Sequence, residues 1–314
     1  MALILSGCSV VQSLYNNSPQ LVYWWLDDYL DFRQDQRDWV KAQLQDILAW
    51  HRTQQLPLYL SSINQLTDLA RGDIAPEVGC AFVQTLADTH KAWLEQWSAP
   101  LAVFLASLSR AQVQYLHKAF ERKNKDWAKE WLQVSDKERL DQQTDKGIEQ
   151  AQDLYGTLSA TQKDALRHLA QDSGYDAKKS LALRHARQDE TLRTIEILRG
   201  MSKTPDKGFS LTVASEDPRL GEQSANRNAG AASTSFAPAA GPSQTSQAVV
   251  REWLEKLLDP VDPSLRAYNT LRWNMNCQAS SRFHALTTPQ QRERARVRLT
   301  RYAKDAQALM GTAP

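Results

Sequence analysis

A chain of 314 residues, 42% hydrophobic and 24% charged, has the composition of a folded globular protein and the length of one large or two ordinary domains. Its net charge of +2 excludes a molecule-wide electrostatic trap, so no nucleic-acid partner is expected. No apolar run reaches the ~18 residues of a spanning helix, so membrane association would have to come from the N-terminus.

The N-terminus offers that route. Leu5-Ser6-Gly7-Cys8 has the form of a lipobox: an aliphatic residue, two small residues, then cysteine. In bacteria such a cysteine becomes a diacylglyceryl thioether, the signal is cut before it, and the new amine is acylated. Two or more acyl chains hold a protein on a membrane where one binds only marginally. Residues 1–8 therefore read as a truncated lipoprotein signal with its lipidation site at Cys8. Met1–Leu5 supply neither a basic region nor the roughly 7–15 apolar residues of a secretory signal, so the rest is expected upstream. Ser9, where inner-membrane retention usually has Asp, favours the outer membrane, facing the periplasm. The competing reading is a buried N-terminal strand with a chance cysteine.

Helical period then dominates. Ser18-Pro19 reads as a capping serine followed by proline at the first helical position. Leu21, Trp25, Tyr29 and Phe32 form its stripe. A second helix from about Asp35 carries Trp39, Val40, Leu44, Ile47 and Leu48, and Pro57 is expected to kink or break it. A third, from Pro76, aligns Cys80, Val83, Leu86, Trp93 and Trp97, and Pro100 is expected to restart the chain. Capping boxes at Ser109–Gln112, Ser135–Glu138 and Ser159–Gln162 open the next three helices. Asp176 opens another, with Leu181, Leu192, Ile195 and Leu198 as its stripe. Residues 9–200 thus form an N-terminal helical region.

Residues 201–246 are poor in large apolar side chains and rich in Ser, Ala, Gly, Pro and Asn. Such a stretch cannot offset its ordering entropy and reads as a disordered linker or insertion. Residues 247–314 resume as C-terminal helices packing on the N-terminal region, the last opening at Thr288-Pro289-Gln290-Gln291. With no sustained alternation, the fold expected is all-α, a multi-helix bundle of about nine or ten helices.

Setting Cys8 aside leaves Cys80 and Cys277, an even pair and a disulfide candidate in an oxidising periplasm. A phrase L-[ST]-x-x-Q recurs at Leu108–Gln112, Leu158–Gln162 and Leu286–Gln290. Capping chemistry accounts for it, although it also resembles a signature of periplasmic stress chaperones. More broadly, the chain resembles a family of uncharacterised proteobacterial helical lipoproteins. The resemblance is carried by Leu-Ser-Gly-Cys8, Tyr15-Asn16-Asn17, Trp24–Tyr29, Trp50-His51-Arg52, Leu154-Tyr155-Gly156, Asn276-Cys277 and Thr288–Arg292. It implies an exported, lipid-anchored helical protein and implies no activity.

No His-Glu-x-x-His, Cys-x-x-Cys, Gly-x-Ser-x-Gly, phosphate loop or dinucleotide fingerprint occurs, so no catalytic residue, metal site or cofactor is expected. Asp27 and Asp28 point about 100° apart on a helix and read as solvated or as partners of Arg33 and Arg37. Trp50, His51 and Arg52 are the sharpest cluster: a stacking surface, a titratable ring and an anion-binding guanidinium. The plainer reading is a core Trp at a helix kink with His and Arg paired locally. Arg292, Arg294, Arg296, Arg298 and Arg301 make the last helix basic, fit for anionic head groups or an acidic partner, or simply solvated. The function expected is a non-enzymatic, lipid-anchored binding or structural module of the cell envelope with an unidentified envelope partner. The alternatives are a periplasmic chaperone-like binder and an envelope enzyme with its site near Trp50-His51-Arg52.

Overall fold

The computed structural model describes residues 10–201 and 243–311. Cys8 and most of the expected linker lie outside the described residues. Among the described residues the chain is all-α, without a strand. Its helices are α1 (Val10–Asn16), α2 (Ser18–Leu30), α3 (Gln34–Trp50), α4 (Leu56–Leu69), α5 (Pro76–Asp88), α6 (His90–Ala106) and α7 (Arg110–Trp131). They continue as α8 (Asp136–Tyr155), α9 (Ala160–Gln171), α10 (Ala177–Met201), α11 (Gln244–Leu258), α12 (Pro263–His284) and α13 (Pro289–Gly311). These thirteen segments exceed the nine or ten expected because short breaks divide continuous stripes, as at Asn17 and Thr89.

Two groups of helices share the chain. In the first, α2 packs on α3 and α7, and α10 packs on α6, α7 and α11. Its core holds Phe32, Leu108, Ile195, Leu198 and Val250, all essentially inaccessible to solvent. In the second, α4 packs on α13, α5 on α12, and α8 on α9 and α13. A smaller core of Ala151, Leu158 and Phe283 lies there. The helices after residue 243 complete both groups, α11 the first and α12 and α13 the second.

The prolines act differently from expectation. Before Pro57 the helix widens into a π-helical turn, His51–Gln55, and continues directly as α4. Proline lacks an N–H and clashes with the carbonyl four residues back, and one wider turn relieves both. Pro100 sits inside α6 without ending it. Ser18 is not a cap; it lies inside α2, and Asn17 precedes it without a side-chain capping bond. The C-terminal region starts three residues earlier than expected, because the Ser243 hydroxyl accepts from the Ser246 N–H and caps α11 at Gln244. Asp27 accepts from the Phe32 N–H at 2.8 Å, closing the turn where Asp31 takes a left-handed φ of 46°. Asp28 pairs with Arg122 and Lys123 on α7, not with Arg33 or Arg37.

Cys80 of α5 and Cys277 of α12 form the disulfide, with Cα atoms 4.9 Å apart across 197 residues. Gly79 makes the approach feasible, since a Cβ there would run into the Ser281 hydroxyl.

The capping boxes do more than end helices. Gln112 caps the Ser109 N–H, and its amide also donates to the Gln36 side chain at 2.7 Å and to the Leu30 carbonyl at 3.2 Å. Gln36 itself caps α3, accepting from the Arg33 N–H. Two helix starts are thus joined side chain to side chain across 76 residues. The arrangement recurs in the second group: Gln162 of α9 donates to Gln291 of α13 at 2.7 Å, and Gln291 donates back at 3.0 Å. Here the third recurring phrase is corrected. The box is Thr288–Gln291, one residue later than L-[ST]-x-x-Q would place it. Accordingly Leu286 is 51% exposed, whereas Leu108 and Leu158 are 2% and 5% exposed.

Removing Gln112 strands buried partners on three elements. Gln112→Leu should cost about 1–3 kcal/mol in urea unfolding. A double-mutant cycle with Gln36→Leu should give a coupling of about 0.5–3 kcal/mol; strict additivity would show that the amide pair carries nothing. Reduction of Cys80–Cys277 should lower stability by about 2–5 kcal/mol, read as a drop in melting temperature with dithiothreitol. An unchanged melting temperature would contradict that.

Candidate functional site

The cluster predicted at the second helix lies on the π-helical turn, and its side chains part company. Trp50 turns inward, edge-on to Trp97 with ring centroids 6.0 Å apart. His51 shares a 2.8 Å hydrogen bond with the Tyr15 hydroxyl, and Arg52 donates to Asn16 at 2.6 Å. The Arg52 guanidinium also lies over the Tyr15 ring. Both polar members thus reach back to α1, whose Tyr15-Asn16 belongs to the same sequence pattern. Burial lowers the His51 pKa from its ordinary value and raises that of Tyr15 to about 12, so both are neutral near pH 7. The arrangement docks the first helix onto the body.

The basic residues of α13 are also mostly engaged. Arg292 pairs with Asp73, Arg296 with Glu293, and Arg298 with Asp153. Arg294 lies across Gly156, whose φ of +79° ends α8 and whose missing Cβ leaves room for the guanidinium. Arg301 points outward, exposed. Nearby, His284 is buried between α4 and α8. Its Nε2 donates to the Gly72 carbonyl at 2.9 Å, since a carbonyl only accepts. Its Nδ1 therefore accepts from the Tyr155 hydroxyl at 2.9 Å. Burial lowers the His284 pKa and raises that of Tyr155 to about 12.

The most prominent concavity was not foreseen. Helices α2, α3, α6, α7, α8, α10, α11 and α12 line an open cavity of about 1170 Å³. Seven of the ten tryptophans line it: Trp25, Trp39, Trp93, Trp97, Trp127, Trp131 and Trp253. Phe104, Phe120, Leu44, Leu105 and Ile195 add to the apolar wall. Trp39 stacks on Phe104 and Trp127 on Trp131, which fixes these rings as a surface. One side is polar, formed by Arg184, Arg187, Gln188 and Thr191 of α10, with Lys146, Tyr175, Tyr268 and Arg272 beyond. Lining positions on α10 run from Ser180 to Ile195, a rise of about 22 Å.

One sequence signal could have found it. The stripe read for α10 jumps from Leu181 to Leu192, and the intervening inward positions are Leu183, Arg184, Arg187, Gln188 and Thr191, all but the first polar. The tryptophans were legible only as core stripes.

The chain belongs to the family of unknown function DUF6279, whose model matches residues 28–211. The match spans α3 to α10 and so includes the Trp-His-Arg turn and most of the cavity wall. No curated protein and no solved structure matched the chain. No group of His, Cys, Asp and Glu among the described residues could hold a metal ion.

Both buried histidines make stability depend on pH. Each has a folded pKa below its unfolded value of about 6.5, so the unfolded chain binds more protons between the two values. Their contribution is complete above about pH 6.5 and is lost as pH falls toward the folded pKa values. Urea midpoints should therefore fall between pH 7.5 and pH 5.5, and His51→Gln with His284→Gln should flatten that slope. An equal slope in wild type and variant would assign it to other groups.

Proposed function

We propose that this protein is a lipid-anchored binding module of the cell envelope that holds an apolar ligand in the tryptophan-lined cavity. The cavity carries the reading. Known ligand sites are concave, mostly apolar and about 300–1,000 Å³, with a few polar groups; this one matches in lining and is somewhat larger. Rings and aliphatic side chains around an open hollow leave apolar surface in contact with water, and an apolar occupant would cover it at a gain of about 25 cal/mol per Å².

Anchoring at Cys8 on the outer membrane is supported by three further observations. Cys8 lies two residues before α1. Helices α1 and α2 expose Val10, Val11, Leu14, Leu21, Val22, Trp24 and Trp25, the two tryptophans being about 60% exposed. Exposed tryptophan beside aliphatic side chains suits the membrane–water interface. The Cys80–Cys277 disulfide suits an oxidising compartment such as the periplasm. Among the described residues no helix is long and apolar enough to cross a membrane, so the lipid would supply the attachment. Trp25 both faces outward and lines the cavity, placing one end of it beside the membrane-facing helices.

The reading is tested with protein exported behind a complete signal. The native form should partition with outer membranes and Cys8→Ser should be released. Purified Cys8→Ser protein should bind the neutral dye N-phenyl-1-naphthylamine saturably, one per chain, with quenching of tryptophan emission. Non-saturable or absent binding would remove the cavity function, and membrane retention of Cys8→Ser would remove the lipid anchor.

A further inference from the structure

Resting on the cavity as a binding site, we infer that its ligand is an anionic amphiphile, a single acyl chain ending in a carboxylate or phosphate read by Arg187. The charges lining the cavity are Lys146, Arg184, Arg187 and Arg272 against Glu130 alone. Glu130 pairs with Lys146 at 3.6 Å, which leaves three arginines facing the cavity. None of those three makes an ion pair among the described residues. Arg184 donates to the neutral Asn124 at 2.6 Å, and Arg272 donates to the Ser173 carbonyl at 2.6 Å. Arg187 has neither kind of partner: its Nε is buried without an acceptor. Partial burial also lowers its pKa, the direction for a cation half withdrawn from water with no anion opposite it.

The other unsatisfied buried polar atom in the wall is the Trp97 indole nitrogen. Both are donors, so the unmet hydrogen-bonding capacity in this wall is for acceptors. An unpaired buried charge is expensive, and a guanidinium presents its donors in a fork that matches a carboxylate or phosphate. A ligand bringing anionic oxygens would satisfy Arg187 at a site where no side chain does. The tryptophan-lined remainder would take hydrocarbon. Length agrees as well: one acyl chain spans about 15 Å, half the ~30 Å bilayer core. The ~22 Å of lining along α10 accommodates that chain and a head group.

Titration of Cys8→Ser protein against tryptophan emission would use dodecanoate, dodecanol, dodecylamine and a dodecanoyl lysophosphatidylglycerol, all below their micellar concentrations. Dodecanoate or the lysolipid should bind at least tenfold tighter than dodecanol, and dodecylamine weaker still. Preference for the carboxylate would identify a free fatty acid, and preference for the lysolipid a phospholipid head group. Arg187→Gln should erase the anion preference while leaving dodecanol affinity within about twofold, which also reports that the cavity is intact. Equal affinity for acid and alcohol, or tighter binding of the amine, would overturn the anion assignment with the apolar site still standing. Failure of all four ligands and of the neutral dye would instead overturn the cavity reading itself.

Discussion

The amide pair between Gln36 and Gln112 fixes where four walls of the cavity meet. Gln36 starts α3 and Gln112 starts α7, and Gln112 also holds the Leu30 carbonyl at the end of α2. The Ser107 hydroxyl at the end of α6 accepts from Gln36 at 3.4 Å. Every helix start leaves unpaired N–H groups, and every helix end leaves unpaired carbonyls. Here the starts of α3 and α7 and the ends of α2 and α6 satisfy one another inside the protein. Burial makes the pairing obligatory, since an unsatisfied amide there costs more than the bond itself contributes. From this corner the aromatic faces of α2, α3, α6 and α7 meet in pairs, Tyr29 with Phe120 and Trp39 with Phe104, and leave open space beside them.

A second corner of the same construction, Gln162 with Gln291, serves the other helix group. Its surroundings differ. Tyr155, Phe283 and the buried His284 fill the space beside it, with every ring nitrogen of His284 engaged. Similar corners thus stand beside a small core and a recess of about 400 Å³ in one group, and beside the ligand-sized hollow in the other. The difference lies in side chains: tryptophans with their edges braced by neighbours in one, and a hydrogen-bonded histidine among smaller groups in the other.

The proposed route from a membrane to the cavity would run along α1 and α2. The Trp50-His51-Arg52 turn docks α1 through Tyr15 and Asn16, so a chain anchored at Cys8 would present the body in a defined orientation. The π-helical turn imposed by Pro57 is what aims His51 and Arg52 at α1 while Trp50 packs edge-on against the buried Trp97. Sequence adjacency placed the three together as one cluster. The backbone separates them into two tasks. The arginines of α13 illustrate the same point. They read as a free basic face, yet Arg292 and Arg298 reach Asp73 and Asp153 on segments far away in the chain.

Local chemistry determined much from the sequence alone. Helical period, the serine capping boxes and the Cys80–Cys277 pairing depend on residues whose spacing or number already states the constraint. Family membership was legible too, in short phrases that act as structural joints. Tertiary structure alone decided what the glutamines join, where Pro57 bends the chain without ending the helix, and which carboxylates meet which arginines. It also decided that seven tryptophans, the buried Trp97 and Trp131 among them, line one cavity. Periodicity says that a face turns inward, but whether opposing faces touch is set by the angle at which their helices leave a shared corner. That angle is fixed by contacts 71 or more residues apart, which no local pattern contains.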